Sequence, residues 1–225
     1  MSSAKLPGNF ITNSVDGLCQ DVKIQRAMFI ERNCEILQEF PFAHPAVKCK
    51  INKVYNSSFP GSVLWDLTSR NVEMLINSWS VATRFMWDLP WKSHRYLMEE
   101  LGGTHAKCML YTRYVTFMQS ISKHKKFPVQ FLFQLTRSNL MSVTGRNIRK
   151  ILDDTGQDDI LRINVNELKR KIKFSSMENE NQWKVAIIKE LVDVKQGGMM
   201  LENEQKEKLL SRAEIEEIIN YVATC

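Results

Sequence analysis

Apolar residues recur at spacings of three and four along most of the chain, a pattern typical of amphipathic α-helices. Two runs are the clearest, one between residues 72 and 86 that Pro90 ends, and one after Thr104 between residues 106 and 121. The pattern predicts a mainly α fold, an irregular bundle of about ten helices with little or no sheet. The predicted inward residues are Val72, Leu75, Ile76, Trp79, Ala82 and Met86, then Ala106, Leu110, Tyr114, Phe117, Met118 and Ile121.

Two less regular runs precede these helices. The first predicts a helix from about Asp16 to Glu39. The second predicts a helix that Pro45 opens at its first position, with Lys48 and Lys53 facing outward. The predicted inward residues are Ala27, Ile30, Cys34 and Leu37 in the first, and Val47, Ile51, Val54, Tyr55 and Ser58 in the second.

Capping signals continue the helical pattern toward the C-terminus. Thr144 is predicted to cap "GRNIRKIL", and three Ser or Asn residues, each followed by Glu three positions later, predict capping boxes. These pairs are Asn164 with Glu167, Ser175 with Glu178, and Ser211 with Glu214.

The two charge signs are unevenly distributed. Residues 1–150 contain 20 Lys or Arg against 10 Asp or Glu, whereas residues 151–225 contain 11 against 15. We therefore predict a basic helical domain over 1–152 and an acidic helical region over 153–225.

One stretch within the basic part contains no acid at all. Residues 101–152 hold nine Lys or Arg and no Asp or Glu, whereas exposed helices ordinarily mix the two signs. Such a surface is suited to phosphate backbones, although a solvated helix face is the simpler alternative. The residues expected to contact phosphates are Lys123, Lys125, Lys126, Arg137, Arg146, Arg149 and Lys150, with Lys92 and Arg95 as weaker candidates.

Other chemistry finds little support in the sequence. No Cys-x-x-Cys pair, phosphate-binding loop or nucleophile motif occurs, so we expect no metal, no cofactor and no catalytic residue. The pair Asp153 and Asp154 is predicted to lie in a solvated loop at a helix end, and Trp79 in the core. Core or interface is the favoured place for Trp87 and Trp91. The His and Cys residues weighed as metal ligands are His44, Cys49, His105 and Cys108.

The cysteines and the hydropathy indicate a compartment. Five scattered cysteines favour a reducing environment, and no apolar run approaches the length of a membrane span. We therefore expect an intracellular protein, in cytoplasm or nucleus, without a membrane partner.

Four motifs in a fixed order carry a family resemblance: "EFPFAHP", "GSVLWDL", "LPWKSHRYL" and "TGRN". Together they resemble the C-terminal part of Jockey-like, LINE-type reverse transcriptases of non-LTR retrotransposons, over roughly residues 20–152. The resemblance implies thumb-like first helices and a post-polymerase helical domain that hold RNA or RNA–DNA hybrid. The palm domain and its Tyr-x-Asp-Asp motif are not in this sequence. The expectation is therefore a non-catalytic, nucleic-acid-binding fragment of a reverse transcriptase.

Two alternatives stay open. The chain could be a helical protein-interaction module, docking a partner through acidic helices over 180–196 and 211–223. Their candidate contacts are Ile187, Leu191, Val194, Ile215, Ile218 and Ile219. An enzyme of unrecognised type is the second alternative, although no constellation of residues meets the roles that a catalytic site requires.

Overall fold

Helices dominate the computed structural model, which describes residues 3–6, 9–12, 17–90, 101 and 106–173. An antiparallel hairpin of β1 (Ser3–Leu6) and β2 (Asn9–Thr12) comes first, and 3₁₀ turns cover Ser62–Leu64 and Ile160–Arg162. The prediction of a mainly helical fold is confirmed. The helices of the described part are α1 (Gly17–Glu39), α2 (Pro45–Asn56), α3 (Arg70–Met86), α4 (Ala106–Ser122), α5 (Phe127–Ser138), α6 (Val143–Thr155) and α7 (Val165–Lys173).

The main hydrophobic core forms around α3 and α4. All six inward residues predicted for α3 are buried, and α4 buries four of its six while Phe117 and Ile121 are half-buried. An aromatic cluster joins α1 to α3, with Phe29 stacked on Trp79 at a centroid distance of 5.3 Å. Trp79 is therefore a core residue, as predicted.

The predicted inward face of α1 is wrong. Ala27, Ile30 and Cys34 are exposed, whereas Phe29 and Ile36 are buried. Apolar residues occur on several sides of this helix, so their spacing alone does not determine which side packs. Contact with α3, above all the stacking of Phe29 on Trp79, determines which side of α1 faces the core.

The predicted orientation of α2 is also wrong, although Pro45 does open the helix. Val47, Val54 and Tyr55 are exposed, while Lys48 and Cys49 are buried. Two of the inward polar groups have partners: the Lys48 Nζ donates to the Pro41 carbonyl at 3.0 Å, and the Asn56 amide donates to Asn52 at 2.7 Å. Helix α2 thus buries a polar side and leaves an apolar side exposed.

Helix α6 begins and ends differently from the prediction. Its N-cap is Ser142, whose Oγ accepts from the Gly145 N–H at 2.9 Å, and Thr144 lies inside the helix. A Cβ at Gly145 would lie 2.2 Å from the Asn139 carbonyl oxygen, so the close approach of the two backbones requires glycine. The helix continues through Asp153 and Asp154 to Gly156, a left-handed cap, so the two aspartates do not lie in a loop.

The predicted division at residues 152 and 153 falls inside α6. Beyond it, Ile160, Ile163, Leu168 and Ile172 belong to the main core, so the chain up to Lys173 shares that core. The predicted cap Asn164 is confirmed, since its Oδ1 accepts from the N–H of Asn166 and Glu167. The capping boxes at Ser175 and Ser211, the helices over 180–196 and 211–223, and Thr104 lie outside the described residues.

A buried hydrogen-bond network joins α1, the segment 65–67 and α6. The Asn147 side chain is fully buried; it donates to the Trp65 carbonyl and accepts from the Leu67 N–H, both at 2.8 Å. The Trp65 indole N–H in turn donates to Asp21 Oδ2 at 2.7 Å. We call this the Asn147–Trp65–Asp21 network.

Replacing Asn147 by Ala should lower the free energy of unfolding by about 2–4 kcal/mol, because two hydrogen bonds vanish and the buried Leu67 N–H and Trp65 carbonyl lose their partner. Denaturant unfolding measures this. The control is Asn166→Ala at an exposed position, expected to change stability by roughly 0.5 kcal/mol or less. Equal effects of the two substitutions would contradict the role assigned to the network.

Candidate nucleic-acid interface

The predicted phosphate-binding residues that the structure describes fall into two groups. Lys123, Lys125 and Lys126 lie on the turn between α4 and α5, which we call the lysine turn (123–126). Arg137 lies in the last turn of α5, and Arg146, Arg149 and Lys150 lie on α6. The 12 residues of α5 span about 18 Å, which separates the lysine turn from Arg137. Lys92 and Arg95 lie outside the described residues.

The lysine turn is exposed and ordered by its own hydrogen bonds. The Lys126 N–H donates to His124 Nδ1 at 3.2 Å, and the Gln130 side chain donates to the His124 carbonyl at 2.7 Å. None of its three lysines forms an ion pair among the described residues. Their ammonium groups are therefore available to an anion.

Helix dipoles do not account for this concentration of charge. The lysine turn follows the C-terminus of α4, where cations are favoured, but it also precedes the N-terminus of α5, where they are disfavoured. The two effects oppose each other. An external anion would remove the mutual repulsion of the three lysines.

The second group is largely neutralised. Arg137 pairs with Asp159 at 2.9 Å, Arg146 with Asp66 at 2.6 Å, and Lys150 with Asp154 at 3.6 Å. Arg149 is exposed and has no ion pair within the described part of the chain. The expectation that these cations form an uncompensated surface is thus wrong for three of the four, because residues before and after the acid-free stretch supply carboxylates. Phosphate contact by these residues stays a prediction, and it would require them to leave or share their ion pairs.

Asp154 is the centre of the largest of these charge clusters. Its Oδ2 accepts from the Tyr111 hydroxyl and lies 2.8 Å from Lys107 Nζ, with Lys150 at 3.6 Å. Partial burial acts to raise the pKa of Asp154, but the hydrogen bonds from Lys107 and Tyr111 and the two positive charges outweigh it and lower the pKa. Burial and the same carboxylate raise the pKa of Tyr111. The cluster joins α4 to α6.

Aromatic side chains lie next to the lysine turn, and sequence reasoning missed them. Phe127 and Phe131 are 74% and 52% exposed, and their rings stack with centroids 6.0 Å apart. By contrast, Phe133 on the same helix is buried. The signal in the sequence is the spacing of four between two Phe residues that directly follow the lysines, which places both rings on one side of α5.

An apolar groove of about 310 Å³ adjoins the opposite side of α5. It lies between α4, α5, α6 and the first 3₁₀ turn, and its floor includes the buried Tyr114 and Met118. Two of its lining residues, Leu64 and Leu132, are exposed apolar side chains; Leu135, Leu140 and Met141 of the neighbouring segments are also exposed.

The described residues that the sequence suggested as base-stacking aromatics or metal ligands contact other parts of the protein. Trp87 is half-buried, and its indole N–H lies 3.2 Å from Cys49 Sγ and 3.3 Å from the Leu101 carbonyl. Burial raises the pKa of the Cys49 thiol to about 11, and the His44 side chain caps α2 by accepting from the Ala46 N–H. Within the described residues, no group of three or more His, Cys, Asp or Glu could hold a metal ion. Trp91 and His105 lie outside them.

Two of the motifs that carry the family resemblance, "GSVLWDL" and "TGRN", meet in space. Asp66 of "GSVLWDL" pairs with Arg146 of "TGRN", and Asn147 of the same motif bonds the backbone of Trp65 and Leu67. Likewise the His44 ring of "EFPFAHP" lies edge-on to Trp87, at a centroid distance of 5.8 Å. These motif residues therefore hold helices together.

Comparison of the chain with known protein families, with curated proteins and with solved structures finds no match. Among the helices of the described residues, none has both the length and the apolar content needed to cross a membrane.

Substituting Asp154 by Ala should lower the free energy of unfolding at pH 7 by about 1–3 kcal/mol, because Lys107 and Tyr111 lose a charged partner. The folded-state pKa is lowered, so this contribution is present above the unfolded pKa of about 4 and is lost as the pH falls through the folded value. The difference between wild type and variant should therefore shrink in acid.

Chemical denaturation from pH 7 down to about pH 3 tests this expectation. Asp153→Ala removes the neighbouring exposed carboxylate and serves as the control. A deficit of the Asp154 variant that stays constant down to the lowest pH would contradict the assignment.

Proposed function

We propose that the protein binds RNA or RNA–DNA hybrid through the phosphate backbone, as a non-catalytic C-terminal part of a retrotransposon reverse transcriptase. The observation that carries the nucleic-acid part of the proposal is the lysine turn, with three exposed lysines and no carboxylate partner among the described residues. The order of the four motifs supports the family. A count of about ten helices belongs to this proposal too, since it needs further helices after Lys173. An intracellular location and the absence of catalysis are likewise part of it.

Electrostatic attraction without sequence readout is the expected mode of binding. Each lysine that meets a phosphate releases condensed counterions, which makes the affinity fall with salt concentration. If about five phosphates are engaged, a threefold rise in salt weakens binding roughly a hundredfold. Arg149 is the described residue of the second group that is available without breaking an ion pair.

The exposed aromatic pair adds a feature that favours unpaired nucleotides. Bases stack on aromatic rings whatever their sequence, and Phe127 and Phe131 are exposed beside the cations that would hold the backbone. A duplex offers no free base face to these rings. The relative affinity for single-stranded RNA and for hybrid duplex therefore depends on whether Phe127 and Phe131 stack on bases.

A second function is favoured by the apolar groove and its exposed leucines. A helical protein-interaction module would use this surface to dock another chain, with no role for the lysine turn. Gel shift with RNA and pull-down with a protein partner separate the two functions.

Changing Lys123, Lys125 and Lys126 together to Ala should weaken RNA binding and lower the slope of log affinity against log salt by about three, one unit for each phosphate that is no longer neutralised. Filter binding over a series of salt concentrations measures both quantities. The matched control changes Lys50, Lys53 and Lys169 to Ala, which removes the same charge from exposed positions on α2 and α7. Identical slopes for the two triple variants would contradict a specific interface, and binding that ignores salt would contradict the proposal itself.

Changing Phe127 and Phe131 to Leu keeps apolar surface but removes the rings. If bases stack there, affinity for single-stranded RNA should fall by about 1–3 kcal/mol per stacked base, while affinity for hybrid duplex stays the same. Fluorescence anisotropy with matched single-stranded and duplex probes measures this. An equal loss for both probes would contradict stacking and point to a change in the turn itself, which circular dichroism of the variant checks.

A further inference from the structure

A second concentration of positive charge lies on α1 and α3, which are different helices from the two that the lysine turn joins. Lys23 and Arg26 of α1 and Arg70, Asn71 and Met74 of α3 line one concavity of about 480 Å³. We call it the cationic pocket. The two sets of residues are separated by more than 40 positions in the sequence, so no local pattern predicts it.

Within the described part of the chain, no carboxylate pairs with the cations of the cationic pocket. Lys23, Arg26 and Arg70 form no ion pair among the described residues. Of the acids nearby in the sequence, Asp21 is buried and accepts from the Trp65 indole, and Glu73 is exposed and does not line the pocket. Three cations around one concavity repel each other unless an anion enters.

One of these cations is held in place. The Arg26 Nε donates to Ser78 Oγ at 2.8 Å, and the Ser78 hydroxyl donates to the Met74 carbonyl at 2.9 Å. Arg26 is half-buried, so this anchor fixes the plane of its guanidinium while its two terminal nitrogens have no hydrogen-bond partner in the described part of the chain. A fixed guanidinium with two free N–H₂ groups is suited to two-pronged contact with phosphate oxygens.

The size and lining of the pocket indicate what accompanies the phosphate. A volume of about 480 Å³ lies in the range of small-molecule sites and exceeds what a bare phosphate fills. The Asn71 amide adds both a donor and an acceptor, and Met74 adds apolar surface. From this lining we propose that the cationic pocket binds a phosphate ester, with Arg26 and Lys23 on one side of the phosphate and Arg70 on the other. The phosphate ester belongs either to a free nucleotide or to the end of an oligonucleotide.

This site does not depend on the proposed function, because it shares no residue with the lysine turn. Isothermal titration with AMP, with adenosine and with inorganic phosphate tests it on the full chain. AMP should bind and adenosine should bind at least about tenfold more weakly, the loss expected for charge-assisted hydrogen bonds. Equal affinity for AMP and adenosine would overturn the proposal.

Substitutions in the cationic pocket test whether AMP binds there. Arg70→Gln should weaken AMP binding about tenfold. Arg26→Lys should weaken it about fivefold, because the positive charge remains but the bidentate guanidinium held by Ser78 is lost. Both contrast with Arg170→Gln on α7, which should have no effect. Arg70 is exposed, so its variant should remain folded, and its unfolding curve verifies this. An AMP affinity equal in the Arg70 and Arg170 variants would place the binding elsewhere and overturn the assignment.

A last experiment distinguishes a free nucleotide from an oligonucleotide end as the ligand. The triple Ala variant of Lys123, Lys125 and Lys126 is titrated with a short RNA carrying either a 5′-phosphate or a 5′-hydroxyl. Preference for the phosphorylated RNA over AMP supports a strand end as the ligand, and preference for AMP supports a free nucleotide. Loss of AMP binding in this triple variant would show that the pocket is not an independent site.

Discussion

The Asn147–Trp65–Asp21 network is the constraint on which the arrangement of the helices depends. The segment 65–67 links a 3₁₀ turn to α3, and the Trp65 carbonyl and the Leu67 N–H have no helical partner, so these two backbone groups need partners from elsewhere. Asn147 supplies a donor and an acceptor to that segment from α6, and the Trp65 indole continues the contact to Asp21 on α1. Three parts of the chain separated by more than 40 residues are thereby fixed in one register. Burial raises the pKa of Asp21 against the lowering effect of the Trp65 hydrogen bond.

The same network brings one cation, Arg146, next to a carboxylate. Arg146 precedes Asn147 on α6 and meets Asp66, which lies between the two residues that Asn147 holds. Arg146 therefore forms an ion pair within the fold, as Lys150 does with Asp154. Among the described residues, cations without an ion pair are grouped at the lysine turn and at the cationic pocket on α1 and α3, while others, such as Lys50, Lys53 and Arg149, lie elsewhere on the surface. Charge without a partner is costly to hold in one place, which is why these two places are the candidates for function.

The lysine turn and the cationic pocket differ in the kind of ligand they suit. The lysine turn is exposed and is followed by two exposed aromatic rings, an arrangement that suits the backbone of a flexible polymer. The pocket is concave and contains an anchored arginine, a geometry that suits one phosphate and its attached group. If both are occupied, the protein would hold a strand along α5 and a phosphate ester at α1 and α3. The apolar side of α2 and the groove beside α5 remain as surfaces for protein contacts.

The sequence by itself determined the helical class, the inward faces of α3 and α4, the cap at Asn164 and the burial of Trp79. In α3 the six predicted residues form a single stripe, so one orientation buries all of them. Helix α4 is more broadly apolar: it buries four of the six predicted residues, and Tyr111 and Val115 in addition. Only the tertiary structure decided the faces of α1 and α2. In α1 apolar residues occur on several sides, and the stacking of Phe29 on Trp79 selects the side that packs. In α2 the contacts of Lys48 and Cys49 bury the polar side and leave the apolar side exposed. The tertiary structure also decided which charges are neutralised, because Asp66, Asp154 and Asp159 lie outside the stretch whose cations they pair. An acid-free stretch of sequence is not an acid-free surface, since ion pairs form between side chains that are close in space and can be far apart along the chain.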